Sequence, residues 1–348
     1  MPRILYGVSP IGLGHATRAL VLSDELRRCG ADVRLFSGGR AAEFIEAQRV
    51  PVDRIVDDPV PRVKNGEMSR VALWYIRSWI ANRRTIPRTR RLFDSYHPDV
   101  VVCDEEFSGL IVAEERGCRR VFISDELLLG FARTRIARAI EGRVERWYGG
   151  LQESVDLLIV PEFGQDVGNR RYVGPIVRTV TKTCDDTRRE HGVPPGRMIL
   201  FAMSGSGIGR ELALRLRASL MQSELGDVSL VIAGNRGPKL SGKGVLDLGL
   251  VSDNQNLVAC ADLVVSTAGK STIDEAASSG TPIIVIPIRH HAEQERNARA
   301  LGYLSSDAGR LSDLVAAKIG RRDPPRSFSG ERSASKAILS LLGGPEGS

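Results

Sequence analysis

The chain has 348 residues, 42% hydrophobic and 26% charged, with a net charge of +7; it is long for one core and natural for two domains of similar size. Its longest apolar runs are strand-length, which excludes a membrane-spanning helix, and the opening MPRILYGVS enters a strand with no signal-peptide core. Five cysteines (Cys29, Cys103, Cys118, Cys184 and Cys260), odd in number and without a Cys-x-x-Cys pair, are expected as reduced, mostly core thiols of a cytoplasmic protein.

Strand and helix patterns alternate almost throughout. Arg3 to Val8 reads as a strand, Ala16 to Arg28 as a helix closed by Gly30, and Asp32 to Phe36 as the next strand. The turn after the first strand is Gly12-Leu13-Gly14-His15. A dinucleotide fold shows a similar turn, but nicotinamide or flavin binding normally wants Asp or Glu closing the second strand. Phe36-Ser37-Gly38-Gly39 stands there instead, which counts against an oxidoreductase. An imidazole at His15 could take a proton from a hydroxyl near neutral pH; the alternative is a structural histidine capping the helix.

Between Arg62 and Arg91 nine basic residues, among them Arg70, Arg77 and Arg84, face a single acid, Glu67, with Trp74, Tyr75, Ile76, Trp79 and Ile80 interleaved. The segment from Phe131 to Tyr148 adds five arginines and Trp147. Basic helices with tryptophan favour an anionic lipid surface, and arginine suits a phosphate-bearing acceptor. The alternative is a solvated basic helix with its aromatics in the core. No nucleic-acid recognition motif accompanies the charge. Further strands are expected at Val100 to Cys103, Arg120 to Ile123 and Leu157 to Val160. Asp104 after the first of these could orient or assist His15, although Glu105 and Glu106 adjoin it.

The Gly-Pro of Val173-Gly174-Pro175 marks the boundary. The expected fold class is α/β, two doubly wound parallel-sheet domains facing a cleft, with ligands at the carboxyl ends of the strands. The first covers 1–173 and the second 174–330; a C-terminal helix and polar tail over 331–348 could pack back on the first.

In the second half, strands are expected at Met198 to Met203 and Ser229 to Ala233. The turn after Met203 is Ser204-Gly205-Ser206-Gly207-Ile208-Gly209, and Leu250-Val251-Ser252-Asp253 precedes a helix near Asn256. Asp262 to Val265 then runs into Ser266-Thr267-Ala268-Gly269, a helix opens at Ser271 and stops at Gly280, and Pro282 to Ile286 forms a buried strand. Small residues allow close backbone approach, and a helix start offers partly positive N–H groups suited to a diphosphate. Glu275 could accept two hydrogen bonds from a ribose, and Glu293-Gln294 could read sugar hydroxyls. Ser271 with Asp274 is also an ordinary capping box, which needs no ligand.

The run Ser266, Gly269, Glu275, Pro287, Glu293-Gln294 and Asn297-Ala298 resembles the C-terminal signature of the MurG-type and UDP-glycosyltransferase-like enzymes of the GT-B fold. The resemblance implies a UDP-sugar-dependent hexosyltransferase with its acceptor on the N-terminal domain and its donor on the C-terminal one. In such a protein Gly12 and Gly14 face the donor, Ser204, Gly205, Ser206 and Gly207 line its diphosphate, and the backbone of Leu250 and Val251 meets the nucleobase. Ala268, Lys270 and His290 join that donor set, and Tyr172 to Arg178 is similar to the family's hinge.

No Asp-x-Asp motif is present, so neither a metal nor any cofactor beyond the UDP-sugar substrate is implied. The implied reaction inverts configuration, with His15 as base, UDP-N-acetylglucosamine as one donor, and an acceptor suited to being lipid-linked at the inner face of the membrane. A nucleotide-sugar epimerase or hydrolase of the same fold, and a non-catalytic donor-binding subunit, remain as alternatives.

Overall fold

The computed structural model describes all residues except 58, 60–61, 65–66, 126–129, 133, 204–208, 222–226, 236, 290 and 344–348, and the side chains of 62–64, 67–69, 219 and 221. Two compact units emerge, one of Met1–Arg62, Ser69–Val177 and Phe328–Ser348, the other of Val63–Met68 and Arg178–Ser327.

The first unit runs β1 (Arg3–Val8), α1 (Gly14–Arg28), β2 (Asp32–Ser37), α2 (Gly39–Ala47) and β3 (Val52–Arg54). After the short pair β4 (Arg62–Lys64) and β5 (Glu67–Ser69), most of which belongs to the second unit, come α3 (Val71–Tyr96), β6 (Val100–Asp104), α4 (Ser108–Glu115), β7 (Arg119–Ile123), α5 (Arg135–Ser154), β8 (Leu157–Val160) and β9 (Arg170–Tyr172). Seven strands form a parallel sheet in the order β3-β2-β1-β6-β7-β8-β9. Strands such as Val100-Val101-Val102-Cys103 are buried throughout because helices cover both faces of a parallel sheet. Along α1, Ala16, Ala19, Leu22 and Leu26 recur at helical spacing and enter the core.

The second unit contains α6 (Cys184–His191), β10 (Arg197–Ala202), α7 (Arg210–Met221), β11 (Val228–Ala233), β12 (Val245–Gly249), α8 (Asn254–Cys260), β13 (Leu263–Ser266), α9 (Lys270–Ser279), β14 (Ile283–Val285), α10 (Ala292–Ala300) and α11 (Leu311–Lys318). Its five parallel strands are ordered β12-β11-β10-β13-β14. At the end of α9, Gly280 has φ +67 and an added Cβ would lie 2.2 Å from the Asp323 carbonyl oxygen, so only glycine ends the helix there without strain.

The last helix, α12 (Gly330–Ser340), belongs to the first unit, where Ala334 and Ile338 share the core of Leu22 and Leu26. This architecture of two parallel-sheet α/β units is the one the sequence pattern predicts. The cysteines differ from expectation: all are free, but Cys103 and Cys260 alone are buried, while Cys29 and Cys184 are exposed.

Candidate functional site

In each sheet the strand order reverses once, between β1 and β6 in the first and between β10 and β13 in the second. Chains leaving neighbouring strands at such a point diverge to opposite faces and open a crevice at the strand ends. The turns after β1 and β6, and after β13, stand at these two positions, and with them His15, Asp104, Ser266 and Lys270.

At the first switch point, Val8 lies beside Asp104 in the register, and the Ser9 N–H donates to the Asp104 carbonyl at 2.9 Å. Gly12, with φ +84, turns the chain into α1. No side chain caps this helix, and its first bond runs from the Thr17 N–H to the Leu13 carbonyl, after Gly14 and His15. His15 Nδ1 lies 2.7 Å from Asp104 Oδ1, and its Nε2 lies 3.6 Å from Glu105 Oε2. Asp104 is fully buried.

One turn after His15, Arg18 meets Asp104 in a fork, Nε to Oδ2 at 2.7 Å and Nη2 to Oδ1 at 2.6 Å, and reaches Asp125 Oδ1 with Nη1 at 3.0 Å. The Tyr6 hydroxyl is buried beneath them with no partner.

These contacts fix the charges. Burial alone raises the Asp104 carboxyl, but Arg18 and then His15 outweigh it and hold it below its usual range. Burial alone lowers the His15 imidazolium, but Asp104 and then Glu105 outweigh that and lift it to about 9. His15 is therefore a cation at neutral pH, where the sequence suggests a ring titrating near neutrality. Two carboxylates and a single guanidinium around one ring are the reason.

At the second switch point the chain leaves β13 through Ser266, Thr267, Ala268 and Gly269. Ala268 adopts φ +62, a left-handed conformation unusual for a residue with a Cβ. Asn297 Nδ2 donates to its carbonyl at 3.2 Å and fixes the turn. The capping box expected at Ser271 is not formed: Gly269 is the N-cap with no side-chain bond, α9 begins at Lys270, and Lys270 Nζ holds Asp274 at 2.6 Å. The Thr267 hydroxyl is buried without a partner among the described residues. An uncapped helix start beside an unpartnered hydroxyl has the donors that an anionic group takes.

Glu275 is buried and already engaged. Arg178 places Nε and Nη2 each 2.9 Å from Glu275 Oε1, and Asn254 Nδ2 donates to Oε2 at 3.5 Å. Arg178 Nη1 donates to the Ser252 carbonyl at 2.9 Å, which ties Glu275 to the Leu250–Asp253 loop after β12. Val251 is half-buried and Leu250 exposed in that loop. Gln294 is buried and accepts the Ile288 N–H through Oε1 at 3.1 Å, while Glu293 is half-buried in the first turn of α10. Ser204, Gly205, Ser206, Gly207 and His290 lie outside the described residues.

On α3, Arg70, Arg77, Trp79 and Arg84 are exposed, Tyr75 is buried, and Trp74 is half-buried with Nε1 donating to the Pro59 carbonyl at 2.7 Å. The aromatics thus divide between core and surface. Leu73, Ile76 and Ile80 are exposed at helical spacing beside Trp79, which is 59% accessible and carries Arg83 over its ring at 4.8 Å.

Sequence reasoning passed over Arg18, Asp125, Arg178 and Asn254. Arg18 had a usable signal, since it stands three residues after His15 and so on the same helix face. Arg178 lay in the noted hinge segment, but its partners come from distant parts of the chain.

The chain resembles known proteins over nearly its whole length. Residues 2–132 match the family described as glycosyl transferase family 1, and residues 245–308 match the glycosyltransferase family 28 C-terminal domain. An uncharacterized glycosyltransferase of Methanosarcina acetivorans is 24% identical over 85% of this chain and 82% of its own. The UDP-N-acetylglucosamine–N-acetylmuramyl-(pentapeptide) pyrophosphoryl-undecaprenol N-acetylglucosamine transferase of a Nocardioides species is 26% identical over 92% of this chain and 88% of its own. Among solved structures, the S. aureus MnaA–UDP complex superposes with a TM-score of 0.66 at 12% identity, over 99% of this chain and 97% of that one.

Proposed function

We propose that this chain, a glycosyltransferase of GT-B type with MurG-like relatives, moves a hexose from a UDP-sugar to a hydroxyl of a lipid-linked or phosphate-bearing acceptor, with inversion and without a metal. UDP-N-acetylglucosamine is the first donor to test, being the one in the name of the Nocardioides relative. The observation that carries the reading is the uncapped start of α9 behind the left-handed turn at Ala268, with the Thr267 hydroxyl, buried and without a partner among the described residues, beside it and Glu275 one turn further on.

In this reading the diphosphate sits against the N–H groups of Lys270 and Ser271, where the helix dipole favours the charge that grows as UDP leaves. Glu275 keeps Arg178 on Oε1 and turns Oε2 to the ribose. The Leu250–Val251 backbone meets the base, and Gln294 and Glu293 meet the sugar. On the first unit, His15 removes the acceptor proton through Nε2 while Asp104 holds Nδ1–H and fixes the tautomer. A single displacement at the anomeric carbon inverts it.

The basic, apolar surface of α3 suits an anionic membrane face, which would bring a lipid-linked acceptor to a protein with no helix long and apolar enough to cross a bilayer among its described residues. The test is a panel of UDP, other nucleoside diphosphates and UDP-sugars read by thermal shift, followed by UDP release. Stabilisation by uridine nucleotides and UDP release that needs an added acceptor are expected. Conversion of the donor without acceptor would instead mark an epimerase or hydrolase, and stabilisation without UDP release a binding subunit.

A further inference from the structure

Asp104 and Glu105 are adjacent in sequence yet grip opposite sides of the same ring. Asp104 takes Nδ1 at 2.7 Å from a fully buried position, whereas Glu105 faces Nε2 at 3.6 Å with its side chain 28% exposed. What splits them is the backbone. Glu105 has φ +47, a left-handed conformation that costs a residue with a Cβ about 1 kcal/mol or more. Its N–H donates to the Ile123 carbonyl at 3.2 Å, which holds the turn in place. Its Oε1 lies 3.2 Å from Ser124 Oγ and 3.3 Å from the Tyr148 hydroxyl, which also contact each other, and since Ser124 Oγ reaches the Asp125 carbonyl at 2.7 Å, the two hydroxyl protons are shared among these acceptors. Oε2 is thereby left facing the imidazole. A strained residue braced by a strand end and two hydroxyls, with one oxygen aimed at the outward nitrogen of a histidine, is built for more than surface charge.

Resting on the transferase reading above, we propose that Glu105 is a second catalytic carboxylate, which takes the resting proton from His15 Nε2 so that the ring can accept another from the incoming hydroxyl. The need arises because the ring is cationic at rest, lifted to about 9 despite burial by Asp104 and then Glu105. A protonated Nε2 cannot act as a base. The proton on Nε2 passes to Glu105 Oε2, leaving a neutral ring whose Nδ1–H still donates to Asp104. As the acceptor O–H bond breaks, its proton goes to Nε2 and its electron pair forms the bond to the anomeric carbon. The bond from that carbon to the diphosphate oxygen breaks with its electrons on UDP. Glu105 then releases its proton to water through its exposed edge. Burial raises the Glu105 carboxyl above its usual range, which suits a group that must hold a proton briefly.

Among the described residues, the charged and titratable groups facing this ring are Arg18 from α1, Asp104 at the end of β6 and Glu105 just after it; Asp125 after β7 meets Arg18, Tyr6 from β1 lies close to Asp104, and Tyr148 from α5 backs Glu105. The test is Glu105→Gln, which keeps the length and the bonds from Ser124 and Tyr148, compared with Glu105→Asp and the unaltered chain. His15 is titrated by NMR of the carbon-labelled ring, and kcat is measured across pH with saturating donor and acceptor. The expected result is a lower His15 titration midpoint in Glu105→Gln, a kcat reduced about tenfold or more at neutral pH that recovers as pH rises through that midpoint, an unchanged donor KM, and partial recovery at neutral pH in Glu105→Asp. An unmoved midpoint would show that the pair does not exist. A lowered midpoint with kcat at neutral pH undiminished would reduce Glu105 to an electrostatic neighbour and overturn the proposal. An unaltered chain that transfers no sugar while the midpoint still moves would overturn the transferase reading and the catalytic role together, leaving only the ion pair.

Discussion

His15 concentrates the chemistry of the first unit in one ring, and its charge state sets two predictions. As the proposed base it should matter to turnover beyond any effect on stability, so the folded His15→Ala protein is expected to lower kcat on the order of a hundredfold or more; near-normal turnover in a steady-state assay would remove it from the mechanism. The second concerns stability. The ring's ordinary value of 6.5 is lifted to about 9 in the folded chain, so the native state binds its proton more tightly than the unfolded one. That stabilisation is complete below about pH 6.5 and is lost as pH rises through about 9. Chemical denaturation at a series of pH values should show this decline, and His15→Gln should flatten it; an equal slope in the two proteins would mean that the ring is not so held. Glu275 carries a different expectation. It and Arg178 are both largely buried, so Glu275→Ala should break this pair, leave the guanidinium on its Ser252 carbonyl and destabilise the chain by up to about 3 kcal/mol, with loss of UDP binding by calorimetry.

Two helices carry the predictions that belong to elements. The exposed face of α3 sets Leu73, Ile76, Trp79 and Ile80 among Arg70, Arg77 and Arg84, an apolar stripe with a basic border. Sedimentation with vesicles should show binding to anionic lipid that weakens with added salt, and the double change Trp79→Ser and Ile80→Ser should abolish most of it. Binding of equal strength to neutral vesicles, or none to either kind, would contradict the membrane role. At α9 the informative residue is the one that stops it. Gly280→Ala combines a left-handed backbone with a Cβ 2.2 Å from the Asp323 carbonyl oxygen, so a loss of roughly 1 kcal/mol or more is expected in urea unfolding.

At the scale of the molecule, the two sheets repeat one topological device, a reversal of strand order with polar turns at its mouth, and divide the proposed labour between them. One switch point holds a buried carboxylate, a histidine and an arginine; the other holds an open helix start, a strained turn and a buried glutamate. UDP at a hundred times its dissociation constant should stabilise the chain by about 2.7 kcal/mol if it binds the native state alone, and the gain should vanish with Glu275→Ala but survive His15→Ala. A nucleotide effect that ignored Glu275 would place the donor elsewhere.

The sequence by itself determined the alternation of strands and helices, because that depends on hydrophobic period and on glycine, and both are local. β1, α1 and β13 fall within a residue or two of their expected bounds. It also pointed to the turns at His15 and Ala268, since small residues between a strand and a helix are visible in one dimension. Only the tertiary structure decided what those residues meet. Asp104 and Glu105 are indistinguishable neighbours until a left-handed backbone sends them to opposite nitrogens of one ring. Arg178 and Glu275, 97 residues apart, form a pair no local pattern reveals. The charge on His15 follows from the same cause, because a pKa depends on burial and on neighbours brought from distant parts of the chain, neither of which is written in the order of residues.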